Sequence, residues 1–181
     1  MNKKKNILAI VGSAGKNTAN LALAKKIAQI TQDDFNITIL ESLAVLPHFD
    51  PELSVSNAPE IITAFRQSIQ QADGIIISTP EYIFSIPSGL KNAIEWCVST
   101  TVFSKKPMGL ITASASGEKA HEELQLIMRT VETIFNNDTT LLIKGIRGRI
   151  DENGNIKDEA THIALLAFAE AFIKLVNDTN A

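Results

Sequence analysis

The chain has 181 residues, 45% hydrophobic and 20% charged with a formal net charge of −3, and this predicts a single globular domain over residues 1–181. The charge balance lacks the basic excess of a nucleic-acid-binding protein, and no apolar run reaches the roughly 18 residues that span a bilayer, so we expect neither a nucleic-acid nor a membrane partner. The one cysteine, Cys97, excludes an intramolecular disulfide, and no cleavage-site pattern follows the basic residues 1–6, so we expect a cytoplasmic protein without a signal peptide.

Strands and helices alternate along the chain. Five strands are predicted, at residues 7–11, 35–40, 75–77, 107–113 and 139–143. Residues 7–11 and 75–77 are continuous apolar runs, whereas residues 35–40 alternate and indicate a strand nearer an edge of the sheet. Apolar residues at helical spacing follow each strand and predict five helices, marked by Leu23 and Ile27, Ile62 and Phe65, Leu90 and Ile94, Leu124 and Met128, and Phe172 and Val176. Since neighbouring parallel strands need such crossovers, the alternation predicts a doubly wound α/β sheet.

Three connections carry signals of their own. Residues 41–57 show no periodicity, and a connection of this length is usually functional or mobile. Asn57-Ala58-Pro59-Glu60 indicates a capping box with proline in the first turn of the next helix. Residues 151–154 indicate a turn before the last helix.

The loop between the first strand and the first helix is a candidate phosphate site, because backbone N–H groups and a helix N-terminus favour an anion there. A nucleoside-triphosphate loop is excluded, since Ile10 stands where its first glycine belongs and Asn17 follows Lys16. The dinucleotide fingerprint fails as well, because Ala14 replaces its second glycine. By itself this loop is equally consistent with an ordinary helix cap.

The second candidate site follows the third strand. Pro80 cannot continue a central strand, so the chain turns there, and Pro87 and Ser88 suit the start of a helix. Between them lie Tyr82 and Phe84, at the carboxyl end of a strand, where ligands of open α/β sheets bind. A phosphate at the first loop and a flat apolar slot here fit a mononucleotide with a large planar ring, and residues 114–117 would border the same crevice.

These residues resemble the NAD(P)H-dependent FMN reductase family, which is flavodoxin-like and includes quinone, azo-dye and chromate reductases. The resemblance is carried by Gly12-Ser13 with Thr18 and Asn20, by Pro80-Glu81-Tyr82, by Ser85-Ile86-Pro87 and by residues 90–96 (LKNAIEW). It implies five parallel strands in the order 2-1-3-4-5 with helices on both faces. It also implies an FMN site formed by Ser13, Lys16, Thr18, Ala19, Asn20, Pro80, Glu81, Tyr82, Ile83, Phe84, Ser85, Ser114, Ser116 and Gly117.

The chain departs from the family pattern at two positions. Gly15 stands where the family often has an arginine, so phosphate neutralisation falls to Lys16 or to the helix. Ile83 stands where the family often has an asparagine after the tyrosine, which removes a polar group near the flavin.

The resemblance implies an enzyme in which FMN takes a hydride at N5 from NADPH or NADH and reduces a quinone, nitro, azo, metal-oxyanion or free-flavin acceptor. No catalytic acid–base pair is required, because the cofactor carries the redox chemistry. We expect the two substrates to share one face of the flavin in a ping-pong order. The alternatives are a flavodoxin-type electron carrier without nicotinamide turnover and a flavin-binding structural or sensory domain.

Several residues have a second interpretation. Tyr82 could simply cover the sheet edge, and Arg147 and Arg149 could either attract the 2′-phosphate of NADPH or lie in a solvated loop. Trp96 is expected in the core or at a subunit interface. The scattered positions of the three histidines support no metal site. Exposed apolar side chains predict a homodimer or a homotetramer, and they are assigned to Phe84, Ile86 and Val98.

Overall fold

Five parallel strands form one sheet in the order β2-β1-β3-β4-β5, as the family resemblance implied. The structure, a computed structural model, describes residues 3–151 and 154–179, so residues 152 and 153 of the predicted turn lie outside the described residues. The strands are β1 (Lys5–Val11), β2 (Phe35–Leu40), β3 (Gly74–Thr79), β4 (Met108–Ser114) and β5 (Thr140–Lys144). The helices are α1 (Ala19–Ile30), α2 (Pro51–Ser56), α3 (Glu60–Gln71), α4 (Ser88–Glu95), α5 (Glu118–Thr130) and α6 (Glu159–Thr179), with 3₁₀ turns at Asn137–Thr139 and Ile146–Gly148.

Helices cover both faces of the sheet. On one face, Ile75 and Ile77 of β3 pack in a cluster that includes Leu90 of α4 and buried residues of α3 and α5. On the other face, Ile76 packs in a second cluster that includes Phe172 of α6 and buried residues of α1. Every residue of β3 is buried, which explains why its sequence is a continuous apolar run rather than an alternating one. Among the described residues, no helix has the length and hydrophobicity to cross a membrane.

The segment 41–57 contains the short helix α2, which the sequence did not predict. Asp50 caps this helix, and its Oδ1 accepts hydrogen bonds from the backbone N–H groups of Glu52 and Leu53 at 2.9 and 3.0 Å. Asn57 ends α2, and its N–H donates to the Leu53 carbonyl. The predicted capping box at residues 57–60 is therefore wrong, because Asn57 is a C-cap and Pro59, which precedes α3, makes no side-chain cap.

The rest of this segment is anchored to α4. The carbonyl of Pro47 accepts hydrogen bonds from Asn92 Nδ2 at 2.9 Å and from Trp96 Nε1 at 2.8 Å. The Phe49 N–H donates to Asn92 Oδ1 at 2.7 Å, and the Phe49 ring meets the Trp96 ring edge-on at 5.5 Å. Trp96 itself is fully buried, which confirms its expected place in the core. The long connection is thus a packed part of the structure.

The carboxyl ends of β1 and β3 lie in close contact. The Gly12 N–H donates to the Ser78 carbonyl at 2.9 Å. A Cβ atom at Gly12 would lie 2.4 Å from Thr79 Oγ1 and 2.9 Å from Leu90 Cδ2, so only glycine allows this approach. The loops that follow β1 and β3 therefore leave the sheet side by side.

Candidate functional site

The loop after β1 presents hydrogen-bond donors at the N-terminus of α1. Thr18 is the N-cap of this helix, and its Oγ1 accepts from the Leu21 N–H at 3.3 Å and lies 2.6 Å from Ser13 Oγ. Within the described part of the chain, the backbone N–H groups of residues 13–19 make no hydrogen bond to a protein acceptor. Lys16 in the same loop is exposed, and Ala19 begins the helix. Free N–H groups, two hydroxyls and a helix N-terminus together suit a phosphate group.

Asn20 is one of the buried candidate residues. Its side chain is 3% exposed; Nδ2 donates to the Ala113 carbonyl and Oδ1 accepts from Ser78 Oγ, both at 3.1 Å. The Asn20 amide thus bridges β4 and β3 and fixes the first turn of α1 against the sheet.

The loop after β3, residues 80–87, contains a two-residue turn, and we call this whole loop the aromatic hairpin. Tyr82 and Ser85 exchange two backbone hydrogen bonds at 2.9 and 3.1 Å, and Ile83 and Phe84 between them have φ of 49° and 60°. Turns with two positive φ values favour asparagine and glycine, so a β-branched Ile83 here is strained. Tyr82, Ile83 and Phe84 are 47%, 94% and 76% exposed, and the hairpin therefore ends in an apolar tip.

The base of the hairpin is buried. Pro80 and Pro87 are both buried, and Ile86 is 4% exposed and packs in the cluster under α3, α4 and α5. The expectation that Ile86 lies at an exposed loop tip is therefore wrong. Its backbone turns inward after Ser85, because the buried Pro87 directly precedes α4.

Residues 114–117 lie next to the hairpin, as expected. Ser114 ends β4, and its Oγ lies 3.5 Å from the Glu81 carbonyl oxygen. Ser116 is exposed, and Gly117 adopts a φ of 87° as the N-cap of α5. The carboxylate of Glu81 accepts hydrogen bonds from the N–H groups of Gly117 at 3.3 Å and Ala120 at 3.0 Å. The Glu81 carboxylate is therefore held by backbone N–H groups at the N-terminus of α5.

Two polar residues near this edge were not singled out by the sequence. Glu123 of α5 contacts the hairpin, and His121 Nδ1 lies 2.9 Å from Thr112 Oγ1 of β4. Burial holds the pKa of His121 below its usual value, which favours the neutral ring. No local sequence pattern could have indicated either residue. The partner of Glu123 is 38 residues away in sequence, and the partner of His121 lies on a neighbouring strand.

The two arginines have different surroundings. Arg149 Nη1 lies 2.6 Å from Asp158 Oδ2, and its Nε donates to the Lys144 carbonyl. Arg147 is exposed and borders a groove of about 760 Å³ between α1 and the segments 150–151 and 154–162. Of the two, Arg147 is the one whose guanidinium is available to an anionic ligand.

Cys97 is 2% exposed, as expected for a residue on the apolar side of a helix. Burial raises the pKa of its thiol to about 12, although the nearby Arg66 lowers it somewhat. A thiol with so high a pKa is not a nucleophile at neutral pH.

The fold brings the two halves of the candidate site together. Strands β1, β3 and β4 are neighbours, and the loop after β1, the aromatic hairpin and residues 114–117 follow their carboxyl ends. The loop after β1 offers neutral hydroxyl and N–H groups, and the hairpin that follows the neighbouring strand offers exposed aromatic side chains. This donor set fits a mononucleotide such as FMN.

The chain is similar to known flavin-dependent reductases. A family model described as NADPH-dependent FMN reductase matches residues 5–146. A 2-hydroxy-1,4-benzoquinone reductase from Burkholderia sp. is 32% identical over 95% of this chain and 96% of its own length. A quinone reductase from Escherichia coli (strain K12) is 29% identical over 97% and 99%, respectively. The structure of FerB, a flavoenzyme NAD(P)H:(acceptor) oxidoreductase from Paracoccus denitrificans, superposes with a TM-score of 0.85 at 25% identity, covering 97% of this chain and 98% of that one.

Proposed function

The chain belongs to the NADPH-dependent FMN reductase family, and from this membership we propose that it passes electrons from NAD(P)H through FMN to a quinone. It is an oxidoreductase with FMN as its cofactor and NAD(P)H as its co-substrate. The two relatives described above are named as quinone reductases, and both cover nearly the whole chain. The finer choice of acceptor rests on the chemistry of the aromatic hairpin.

We assign the FMN phosphate to the loop after β1. Ser13 and Thr18 offer hydroxyl donors, and the free N–H groups of residues 13–19 surround the N-terminus of α1. Lys16 is the nearby cation, in the absence of an arginine at Gly15. Bound FMN supplies a ring that accepts a hydride at N5 from a nicotinamide and returns the electron pair to an acceptor. The protein residues bind and orient the ring; the hairpin and residues 114–117 form its surroundings.

The observation that carries the choice of acceptor is the exposed apolar tip of the hairpin. Ile83 and Phe84 leave most of their surface to solvent directly beside the assigned ring site. An aromatic and an aliphatic side chain stabilise a flat apolar acceptor by burying its surface, and they offer nothing to a strongly hydrated oxyanion. A quinone therefore suits this surface better than a metal oxyanion does.

NAD(P)H and the quinone share this one exposed surface in our proposal. The buried base of the hairpin and the anchored segment 41–57 leave the tip as the accessible part, and only one planar substrate stacks there at a time. The nicotinamide product then leaves before the quinone binds, which is a ping-pong order.

Anaerobic stopped-flow absorption of the FMN-loaded protein tests the proposal. We expect NADPH to bleach the flavin absorption band at least as fast as the enzyme turns over. Subsequent mixing with 1,4-benzoquinone should restore the band. A flavodoxin-type carrier, the alternative function, would bind FMN but would not be bleached by NADPH or NADH. Parallel mixes with chromate, an azo dye and free FMN rank the acceptors, and a preference for chromate over the quinone would contradict our assignment.

A further inference from the structure

Helix α5 takes its N-terminal cap from another element. Its own N-cap, Gly117, offers no side chain, and the first-turn N–H groups of a helix lack intrahelical acceptors. The carboxylate of Glu81 fills this role: Oε1 accepts from the Gly117 N–H at 3.3 Å and Oε2 from the Ala120 N–H at 3.0 Å. A carboxylate at a helix N-terminus is favourable for both the hydrogen bonds and the dipole.

A second carboxylate, on α5 itself, accepts hydrogen bonds from the hairpin. Glu123, one turn further along α5, accepts hydrogen bonds on Oε2 from Ser85 Oγ at 2.7 Å and from the Ile86 N–H at 2.9 Å. Glu81 therefore reaches from the start of the aromatic hairpin to α5, and Glu123 reaches from α5 to the end of the hairpin. We call these two residues the carboxylate clasp.

We propose that the carboxylate clasp positions the aromatic hairpin, so that the hairpin and residues 114–117 move as one rigid wall of the flavin site. The link to a flavin site rests on the proposed function, whereas the hydrogen bonds of the clasp do not depend on it. The hairpin needs outside support, because Ile83 and Phe84 hold positive φ values that are costly for residues other than glycine. Such strained backbone persists only where the surroundings fix it, and the clasp holds both ends of the turn.

The clasp also decides which helix is open to a ligand anion. Glu81 already occupies N–H groups of the first turn of α5 with a negative charge, whereas the corresponding groups before α1 are free of protein acceptors in the described residues. An anion at α5 would have to displace Glu81 or lie beside its charge. The phosphate is therefore expected at α1 and not at α5.

The single tyrosine of the chain makes the clasp measurable without flavin. Tyr82 is the only tyrosine, so incorporation of 3-fluorotyrosine gives one ¹⁹F resonance, from the hairpin itself. In the apoprotein we expect a single narrow line for the wild type. Glu81→Ala and Glu123→Ala should each lose that narrow line, to broadening or to a second line, and Glu81→Gln and Glu123→Gln should retain it in part because one acceptor oxygen remains.

Two neighbouring residues provide matched controls. Glu118 and Glu122 lie on the same helix and carry the same charge, but they are exposed and pair with Lys144 and Lys119, respectively. Glu118→Ala and Glu122→Ala should leave the ¹⁹F line as narrow as in the wild type. FMN affinity should follow the same order, with a loss of roughly ten-fold for either clasp alanine variant and no loss for the controls.

The outcomes separate the clasp from the proposed function. Narrow lines in folded Glu81→Ala and Glu123→Ala would overturn the clasp, whatever the flavin affinity, and equal broadening in the Glu118 and Glu122 variants would do the same. If an alanine variant fails to fold by circular dichroism, its glutamine counterpart carries the test. A wild-type protein that binds no FMN would overturn the proposed function alone, since the resonance is recorded on the apoprotein.

Discussion

The side-chain amide of Asn20 donates a hydrogen bond to the backbone carbonyl of Ala113 across 93 residues of sequence, at 3.1 Å, in the interior of the protein. The oxygen of the same amide accepts a hydrogen bond from the Ser78 hydroxyl. Replacing Asn20 with an apolar residue therefore leaves the buried Ala113 carbonyl and the buried Ser78 hydroxyl without this partner. We predict that Asn20→Leu lowers the free energy of unfolding of the apoprotein by about 2–4 kcal/mol, from one or two stranded partners. Urea denaturation measures this. Asn36→Ala, which changes an exposed amide, should stay within about 0.5 kcal/mol of the wild type.

Thr18 should matter to both the helix and the phosphate. Its hydroxyl caps α1 and lies 2.6 Å from that of Ser13. We predict that Thr18→Val weakens FMN binding by about 1–3 kcal/mol, because it removes a donor and leaves Ser13 without its partner. Flavin fluorescence quenching on titration with FMN gives the affinity. Thr18→Ser keeps the hydroxyl and should bind nearly as well; an equal loss in both variants would contradict a role for this hydroxyl.

Ile83 is the residue at which a polar replacement should stabilise the protein. It is 94% exposed and has a φ of 49°, a conformation that asparagine tolerates and a β-branched side chain does not. We predict that Ile83→Asn raises the free energy of unfolding by about 1 kcal/mol, the low end of the cost of such strain. Val45→Asn is the matched control, since Val45 is also an exposed β-branched residue but has no positive φ. A gain in the control alone, or a loss at Ile83, would contradict the assigned strain.

The shared surface at the hairpin predicts the form of the steady-state kinetics. With NADPH varied at several fixed concentrations of 1,4-benzoquinone, the double-reciprocal plots should be parallel. High quinone concentrations should inhibit competitively against NADPH, because both occupy the same face. Intersecting lines would mean that both substrates bind together, and the shared surface would then have to be abandoned.

A second exposed apolar group predicts self-association. The hydrogen bond between Ser54 and Ser99, at 2.8 Å, brings α2 beside the turn after α4, and Leu53, Val55 and Val98 around it are exposed. We predict that light scattering gives a mass that is a multiple of 19.7 kDa at micromolar concentration. Val55→Glu should shift the protein towards the monomer by introducing a charge into the interface. A control at another exposed apolar residue, Leu126→Glu of α5, should not change the mass.

The three central strands of the sheet, β1, β3 and β4, were predictable because they are buried on both faces. In β3, Ile75, Ile76 and Ile77 contact helices on alternate sides, and this arrangement leaves a continuous apolar run in the sequence. The six residues of α2 are too few to show a helical period, so the helix was missed. Asp50-Pro51 is the local signal that could have indicated it, since aspartate caps and proline suits the first position.

The candidate site was predictable only as a set of loops. The strand order that the family resemblance implied places the ends of β1, β3 and β4 together, so the neighbourhood of Ser13, Tyr82 and Ser114 followed from it. The contacts that fix these loops join distant residues, such as Glu81 with Ala120 and Glu123 with Ile86, 39 and 37 residues apart. A pattern within one segment carries no information about such pairs.

The hydrogen bonds of Glu123 to Ser85 and Ile86 bear on the exchange of parts between related reductases. Residues 80–87 form a continuous segment and invite transplantation into another scaffold to alter acceptor preference. Such a graft would include Glu81 but not Glu123, so the hydrogen bonds that hold Ser85 and Ile86 at the end of the hairpin would be lost. A chimera that receives residues 80–87 should therefore need glutamate at the position equivalent to Glu123 before the hairpin keeps its shape.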